Sequence, residues 1–400
     1  MALAYASAVY AGSGSVVNLY GGSIEGKAAT CVYVESAAKL TVDGAEVNNT
    51  IDCTSRSTGN VGVSVMAIYV NQGGRAEVRS GRVSATAING ENQSSSHNGS
   101  IAVMPTGSIT ISGGTVESTG ERCYGIVIEE DAYWLQYVTV EKGTTYADIS
   151  GGLINTDVYT RGNDIEVSMT GGEIRGFLSL FGGEWKMNGS GKIGTASAEK
   201  EDIIIGRLKG LPGKMVLTGA LTNSSPYLVR SYVSPSSQYP LVFAENFTTY
   251  MPGEKPADYF TSMDGYKVVL QDGGGALMPY VMTFDANGGT CDTATGDING
   301  GQSMRTLPEP TRDGYSFDGW YTEKTAGDEI TIDMIPAGRD ITVYAHWTLV
   351  DYAIRYDLAG GVLPSGKTNP SSYTVETAAF TLANPVRTGY TFTGWSGTGL

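Results

Sequence analysis

Three apolar residues recur at one internal spacing in three successive stretches of this chain. In each stretch the second residue follows the first by eight positions, and the third follows the second by five. The copies begin 36 and then 33 residues apart. Repetition at such a period is typical of solenoids, in which every repeat packs on its neighbours. The three sets are Val34, Val42 and Val47; Val70, Val78 and Val83; and Val103, Ile111 and Val116.

The residues around each set predict strands joined by sharp corners. Ile109 and Ile111 are two positions apart, so their side chains lie on one face of a strand. Gly113 and Gly114 follow, and glycine tolerates the positive φ that a corner requires. Stacked coils bury rows of Val and Ile that one coil cannot bury, so we predict an all-β chain that begins with a right-handed parallel β-helix. Degenerate copies of the corner occur at 19–24, 149–154, 169–174 and 187–193.

Composition narrows the classes of partner. The chain has 26 basic and 41 acidic residues, a balance that argues against nucleic acid and against charge-driven binding to anionic lipid. No run of eighteen apolar residues occurs, so we expect no membrane insertion. The first residues lack the basic and apolar regions of a recognisable signal peptide.

Four cysteines are too few for a disulfide scaffold. Cys31 and Cys53 lie about one coil apart, which leaves a disulfide between them open. We favour the interpretation that these cysteines are small apolar side chains buried in the rows of the stacked coils.

Two stretches depart from the repeat. Residues 89–100 are polar and are expected to form a loop outside the solenoid wall, while residues 129–137 combine three acids with three aromatic residues and are expected to project. We take the second stretch as the candidate ligand-binding site. Its residues are Glu129, Glu130, Asp131, Tyr133, Trp134 and Tyr137.

A second repeat lies near the C-terminus. Residues 284–290 (FDANGGT) match 356–362 (YDLAGGV), and residues 307–320 match 382–395 around a shared Pro-x-Arg-x-Gly-Tyr-x-Phe-x-Gly-Trp motif. The first copy closes with Val-Tyr-Ala-His-Trp at 343–347. The second reaches Leu400 before such a strand, so we expect that copy to be truncated.

These motifs resemble the internalin B-repeat family, also called the Listeria–Bacteroides repeat. The resemblance implies small β-grasp-like modules, usually in tandem, in extracellular bacterial proteins that span the wall or contact host or neighbouring surfaces, and it implies no catalytic residues. We expect four regions: a β-helix over 1–225, a cap and junction over 226–280, a module over 281–348 and a second, truncated module over 349–400.

The aromatic residues of the modules have two interpretations. Tyr315 and Phe317, like Tyr390 and Phe392, alternate on one strand face before a Gly-Trp step, and an aromatic set in so small a module is most simply its core. A sugar-stacking platform at the two tryptophans, Trp320 and Trp395, is the alternative.

Catalytic signals are weak. Residues 155–157 (NTD) match one motif of β-helix galacturonan hydrolases, whose other motifs are missing. The acids at 129–131 would point in alternating directions on a strand, so they could hold a metal only as a loop. We expect no enzyme activity, catalytic residue, metal or cofactor.

The function expected from the sequence is that of a secreted or cell-wall-associated adhesin-like protein. The β-helix would be a rigid stalk or binding surface, and the modules would be spacers or interaction units. Its partner would be a protein or glycan on a host or neighbouring cell. A carbohydrate-binding or carbohydrate-active β-helix (lyase-like or hydrolase-like) is the alternative.

Overall fold

A computed structural model describes residues 7–27, 30–52, 65–88, 98–120, 123–130, 143–194, 201–298, 306–332 and 338–397. The chain divides into two compact units, with the boundary between Pro279 and Tyr280. Within the described residues, no helix has the length and hydropathy needed to cross a membrane.

The first unit consists almost entirely of short strands. A single-turn helix α1 (Phe247–Tyr250) and a 3-10 turn (Pro256–Asp258) lie between the last of them. In chain order the strands are β1 (Val9–Ala11), β2 (Val16–Tyr20), β3 (Ser23–Gly26), β4 (Thr30–Val34), β5 (Lys39–Asp43), β6 (Glu46–Asp52), β7 (Met66–Val70), β8 (Arg75–Val78), β9 (Arg82–Ile88), β10 (Asn98–Val103), β11 (Ser108–Ile111), β12 (Thr115–Thr119), β13 (Cys123–Glu129), β14 (Thr145–Ile149), β15 (Leu153–Ile154), β16 (Val158–Arg161), β17 (Ile165–Met169), β18 (Glu173–Ile174), β19 (Leu178–Phe181), β20 (Glu184–Met187), β21 (Lys192–Ile193), β22 (Ile203–Leu208), β23 (Leu211–Pro212), β24 (Lys214–Leu217), β25 (Tyr227–Ser231), β26 (Leu241–Glu245), β27 (Phe260–Ser262), β28 (Lys267–Gln271) and β29 (Gly274–Met278).

These strands form three long sheets, one on each side of a solenoid. Sheet 1 has the order β1-β4-β7-β10-β13-β16-β19-β22-β25-β27, and all neighbours on this path are parallel. Sheet 2 runs from β2 through β5, β8 and β11 to β24 and β26, and sheet 3 joins β3, β6, β9, β12, β15, β18 and β21. Each coil up to β21 therefore adds one strand to every sheet, and the later coils extend sheets 1 and 2 alone. This arrangement confirms the predicted parallel β-helix.

The apolar sets of the sequence repeat are the inward rows of this solenoid. Val34, Val70 and Val103 pair in register in sheet 1. The Val42 set pairs likewise in sheet 2 and the Val47 set in sheet 3. All nine side chains are fully buried, so the stacked coils bury them as predicted.

Glycine shapes the corner between sheets 2 and 3. Gly81 has φ +92°, and a Cβ placed there would lie 2.1 Å from the carbonyl oxygen of Ala45 in the preceding coil. Gly114 occupies the same corner one coil later with φ +75°. The backbones of successive coils therefore approach so closely that a side chain does not fit.

The C-terminal end of the solenoid departs from the parallel pattern. The parallel ladder of sheet 1 continues to β27, within the segment expected to form the cap. There β29 runs antiparallel to both β26 and β28, and β28 is the last strand of sheet 2. Phe243, Phe247 and Phe260 are buried at this end, and the rings of Phe243 and Phe260 meet edge to face at 5.1 Å. These rings extend the apolar core of the solenoid to its C-terminal end.

The described residues of the first unit bear on two expectations, the polar loop and the cysteine pair. Residues 89–100 were expected to form a loop, but residues 98–100 begin strand β10, so the expectation is wrong for these three residues. Residues 89–97 lie outside the described residues. Cys31 and Cys123 are buried, as expected of small apolar side chains in the stacked coils. Cys53 lies outside the described residues.

The second unit contains two small β modules. The first is a four-stranded sheet in the order β31-β30-β33-β32, in which β33 pairs parallel with β30 and antiparallel with β32. Phe284, Trp320 and Val343 are at most 6% exposed in its core, so Trp320 is a core residue as expected. The second module has the antiparallel pair β34 and β35 among its described residues. The strands are β30 (Tyr280–Asp285), β31 (Thr295–Ile298), β32 (Tyr315–Tyr321), β33 (Ile341–Leu349), β34 (Tyr352–Ala353) and β35 (Ser372–Tyr373).

Candidate binding face of the solenoid

The outer face of sheet 1 carries a row of aromatic side chains over the later coils. Tyr159 lies between the inward-facing Val158 and Thr160, so strand alternation turns its ring outward. Its ring centroid is 5.1 Å from that of Tyr124 and 5.9 Å from that of Phe181. We call the continuous set Tyr124, Tyr159, Phe181 and Tyr232 the aromatic strip.

A glycine lets the strip continue across one strand that has no aromatic residue. Gly206 pairs with Phe181 in the register of β19 and β22, and a Cβ at this glycine would lie 2.1 Å from the phenyl ring. The Phe181 ring therefore covers Gly206 and stacks on Tyr232, with centroids 6.0 Å apart. Tyr232 ends the strip and is 66% exposed. One face of its ring is covered by Phe181, and the other is available to a ligand.

Charged groups border the strip. Glu129 pairs in register with Arg161, on the strand that also carries Tyr159. Burial raises the pKa of Tyr159 to about 12, and the negative charge of Glu129 acts in the same direction. Tyr159 is therefore a neutral hydroxyl at physiological pH. At the other end, Arg230 lies 3.5 Å from Asp264 and 3.7 Å from Glu201.

The earlier coils carry a second aromatic stack on the same sheet, in which two of the three rings are buried. Tyr33 stacks on Tyr10 at 5.5 Å and on Tyr69 at 5.0 Å. Tyr33 and Tyr69 are only 7% and 5% exposed. Tyr10, at the end of this stack, is 58% exposed, but its hydroxyl is already engaged, since it donates to the Glu35 carboxylate at 2.6 Å. These rings contribute to packing, and the exposed end of the aromatic strip is the better candidate for a ligand.

The structure describes two of the six residues that the sequence predicted as a ligand site. Glu129 is 5% exposed. The Glu130 carboxylate lies over Gly162 and accepts a hydrogen bond from the Asp164 backbone N–H at 3.2 Å. Their role in binding stays a prediction. The other four predicted residues lie outside the described residues: Asp131, Tyr133, Trp134 and Tyr137.

Sequence reasoning missed the aromatic strip itself. A signal was available, because Tyr159 sits between two inward positions and Phe181 follows the inward Leu180. What the sequence did not show was which of these outward residues become neighbours, since the coils differ in length.

The acidic residue considered for catalysis has a structural contact. Asp157 Oδ1 accepts a hydrogen bond from the backbone N–H of Phe177 in the next coil, at 3.0 Å. This bond ties two successive corners of the solenoid together. In the part of the chain that the structure describes, no three His, Cys, Asp or Glu side chains are grouped as metal ligands would be.

Comparison with known proteins relates parts of the chain to three bacterial proteins. Internalin H of Listeria monocytogenes serovar 1/2a is 28% identical over 190 residues, which are 47% of this chain and 31% of that protein. Two proteins of Evansella cellulosilytica that are named as membrane proteins, one of them Gly-rich, are 28% and 25% identical over 120 and 116 residues. Those segments make up 29% of this chain in both cases and 18% and 13% of the two relatives. The chain thus matches less than a third of the length of each curated relative.

The family match falls on the second unit. Residues 280–346 and 352–398 match the model of the Listeria-Bacteroides repeat domain. These ranges contain the repeated Asp-x-x-Gly-Gly turn and the aromatic Gly-Trp motif, and the first coincides with the four-stranded module. This chain is therefore a parallel β-helix followed by two members of the Listeria–Bacteroides repeat family.

Proposed function

We propose that this chain is the non-enzymatic, adhesive part of a bacterial surface protein, with the β-helix as a rigid stalk that binds a glycan through the exposed end of the aromatic strip. The observation that carries the proposal is the Tyr232 ring, supported on one face by Phe181 and 66% exposed. A supported, exposed aromatic face suits the C–H groups of a sugar ring. Arg230, two residues before Tyr232, supplies a charged hydrogen-bond donor at the same end of the strip.

Two further observations support a surface role. The family of the C-terminal modules and the similarity to internalin H agree with a protein displayed outside a bacterial cell. The stacked coils bury continuous apolar rows, and such a solenoid is stiff because each coil is held by its neighbours on both sides. Stiffness suits a stalk that must present a binding face at a distance from the cell.

A glycan array with the full 400-residue chain tests the proposal. We expect saturable binding to a defined set of glycans, and loss of that binding in Tyr232→Ala. Tyr232 is exposed, so its replacement removes a ring face without opening a cavity. Tyr146→Ala is the matched control, because Tyr146 is a 50% exposed tyrosine on sheet 2 of the same solenoid.

Three results would contradict the proposal. Equal loss of binding in both variants would show that the effect is not specific to the strip. Absence of any glycan binding by the folded wild-type chain would refute the glycan as ligand. A separate Trp134→Ala variant tests the site predicted from the sequence, and loss of binding in that variant alone would move the site away from the strip.

A further inference from the structure

The rings of the aromatic strip cover one another, and this limits how much of the strip a ligand can use. The ring planes of Tyr159 and Phe181 are 37° apart, and those of Phe181 and Tyr232 are 26° apart, so neighbouring rings are closer to parallel than to perpendicular. Tyr124, Tyr159 and Phe181 are only partly exposed. Each of these three rings therefore presents mainly its edge to solvent, and a sugar cannot lie flat along the strip.

Tyr232 differs from the other rings because the solenoid changes beside it. Phe181 covers its face on the side of the earlier coils. On the other side the next strand of sheet 1 is β27, which pairs with β25 only as far as Ser262, opposite Val229. The chain then turns at 263–265, so β27 does not extend beside Tyr232. One aromatic face is thus left open, and its area suits a single sugar ring.

A charged pair lies at this end of the strip. Arg230 is two residues before Tyr232, and strand alternation places both side chains on the outer face. Asp264 belongs to the turn after β27. Its Oδ2 accepts the backbone N–H of Ser231 at 2.6 Å, and its Oδ1 is 3.5 Å from Arg230 Nη1. The hydrogen bond to Ser231 fixes the carboxylate beside the residue that precedes Tyr232.

The pair is suited to neutral hydroxyl groups. A guanidinium carries five N–H donors and each carboxylate oxygen accepts two hydrogen bonds, so the pair keeps capacity beyond its own contact. The Arg230 and Asp264 side chains are 35% and 23% exposed. A sugar carboxylate would lie near Asp264 and a sugar ammonium near Arg230, and like charges repel. A second carboxylate, that of Glu201 at 3.7 Å from Arg230, adds to the repulsion of an acidic sugar.

The orientation of the stack favours the end of a glycan chain. The rings stack from strand to strand across sheet 1, so each ring plane stands upright on the sheet. A sugar stacked on Tyr232 stands upright as well, with one edge towards the sheet and the Arg230–Asp264 pair. A sugar inside a chain is commonly linked through opposite edges of its ring, and one of those linkages would point into the pair. A terminal sugar has one linkage, which can leave from the solvent side.

We propose that the exposed end of the strip is a subsite for one neutral sugar ring at the end of a glycan chain, stacked on Tyr232 and hydrogen-bonded by Arg230 and Asp264. The inference rests on the glycan binding proposed above and narrows its ligand to the terminal unit. The chain behind that unit adds little affinity, because the other three rings of the strip are covered by their neighbours.

An array of defined glycans with the full 400-residue chain tests the inference. We expect the bound glycans to share a neutral terminal sugar and to differ freely in the chain behind it. The methyl glycoside of that sugar is then the competitor, and it should displace a labelled array glycan as well as the whole oligosaccharide does. The methyl glycoside of the corresponding uronic acid should compete clearly less.

An Asp264→Asn variant tests the polar pair. Asparagine keeps an oxygen that can accept the Ser231 N–H, so the turn is retained while the charge and one acceptor oxygen are lost. We expect competition by the methyl glycoside to weaken at least about tenfold, since hydrogen bonds to charged groups are stronger than neutral ones. Asp148→Asn is the matched control, because Asp148 is an exposed aspartate on sheet 2. Circular dichroism of both variants shows that they are folded.

The outcomes separate this inference from the proposed function. Shared terminal sugars, competition by the methyl glycoside and weaker binding in Asp264→Asn alone support it. Glycans that share only an internal repeat, or an affinity that rises with each added sugar, overturn the terminal subsite and leave glycan binding in place. Equal binding by Asp264→Asn and the wild type, or equal weakening in both aspartate variants, overturns the role of the pair. Absence of glycan binding by the folded wild-type chain refutes the proposed function, and the inference with it.

Discussion

Replacing a corner glycine with alanine should destabilise the solenoid for two reasons: strain at a positive φ and a clash with the backbone of the preceding coil. Three Gly→Ala variants separate these two reasons. Gly14 has φ +73° with no atom within 4 Å of a Cβ, so alanine there adds only backbone strain. Gly113 lies outside the positive-φ region, but a Cβ would be 2.1 Å from the Arg79 carbonyl oxygen. Gly81 combines φ +92° with a Cβ 2.1 Å from the Ala45 carbonyl oxygen. Gly81→Ala should therefore cost the most.

The expected losses in the free energy of unfolding follow from the backbone strain and from the steric overlap. Left-handed backbone costs a residue with a Cβ roughly 1–2 kcal/mol. Forcing packed groups apart costs about 1–3 kcal/mol, and alanine recovers about 0.4–1 kcal/mol by restricting the unfolded chain. The free energy of unfolding should thus fall by about 1 kcal/mol in Gly14→Ala, about 1–2 in Gly113→Ala and about 2–4 in Gly81→Ala.

Urea unfolding followed by far-ultraviolet circular dichroism measures these differences in the full chain. The comparison requires equal slopes of free energy against urea, which show that the three variants unfold from the same state. If Gly81→Ala were no less stable than Gly14→Ala, the close approach of coils would not be the reason for glycine, and the reasoning would be refuted.

Two further predictions concern buried side chains. Burial raises the pKa of the Cys31 thiol to about 11 from an ordinary value of 9.0, so the unfolded chain releases this proton first. The associated stability is complete below pH 9 and is lost as pH rises towards 11, on the order of 2–3 kcal/mol. A Cys31→Ala variant should lose less stability than the wild type across that range, and equal pH profiles from thermal melts would contradict the assignment. Trp320→Ala should destabilise the first module by about 3–5 kcal/mol, because the ring is 1% exposed, whereas the half-buried Trp395 should cost clearly less when replaced by alanine. Hydrogen exchange of the peptides that cover each module measures this difference, and equal effects would show that the two clusters are packed alike.

The inward face of the solenoid was predictable because it is set by the alternation of residues within each strand and by a corner that recurs in every coil. Alternation set Ile109 and Ile111 on one face, and Gly114 marked the corner, so the rows through Val34 and Val42 followed from spacing alone. The motifs of the C-terminal modules were predictable for a similar reason, since two copies repeat the same turn and the same aromatic centre.

The outward contacts were not predictable in this way. Phe181 reaches Tyr232 only because Gly206 leaves the strand between them uncovered. The length of each coil decides which residues meet on the outer face, and those lengths vary along the chain.

The sequence by itself determined the fold class, the inward rows and the family of the modules, because each rests on short-range alternation or on a repeated motif. Only the tertiary structure decided the surface chemistry. It placed Glu129 in register with Arg161 and assembled the aromatic strip. The physical reason is that burial of apolar rows fixes the register of every strand, whereas neighbours on the outer face depend on loops that the repeat does not constrain.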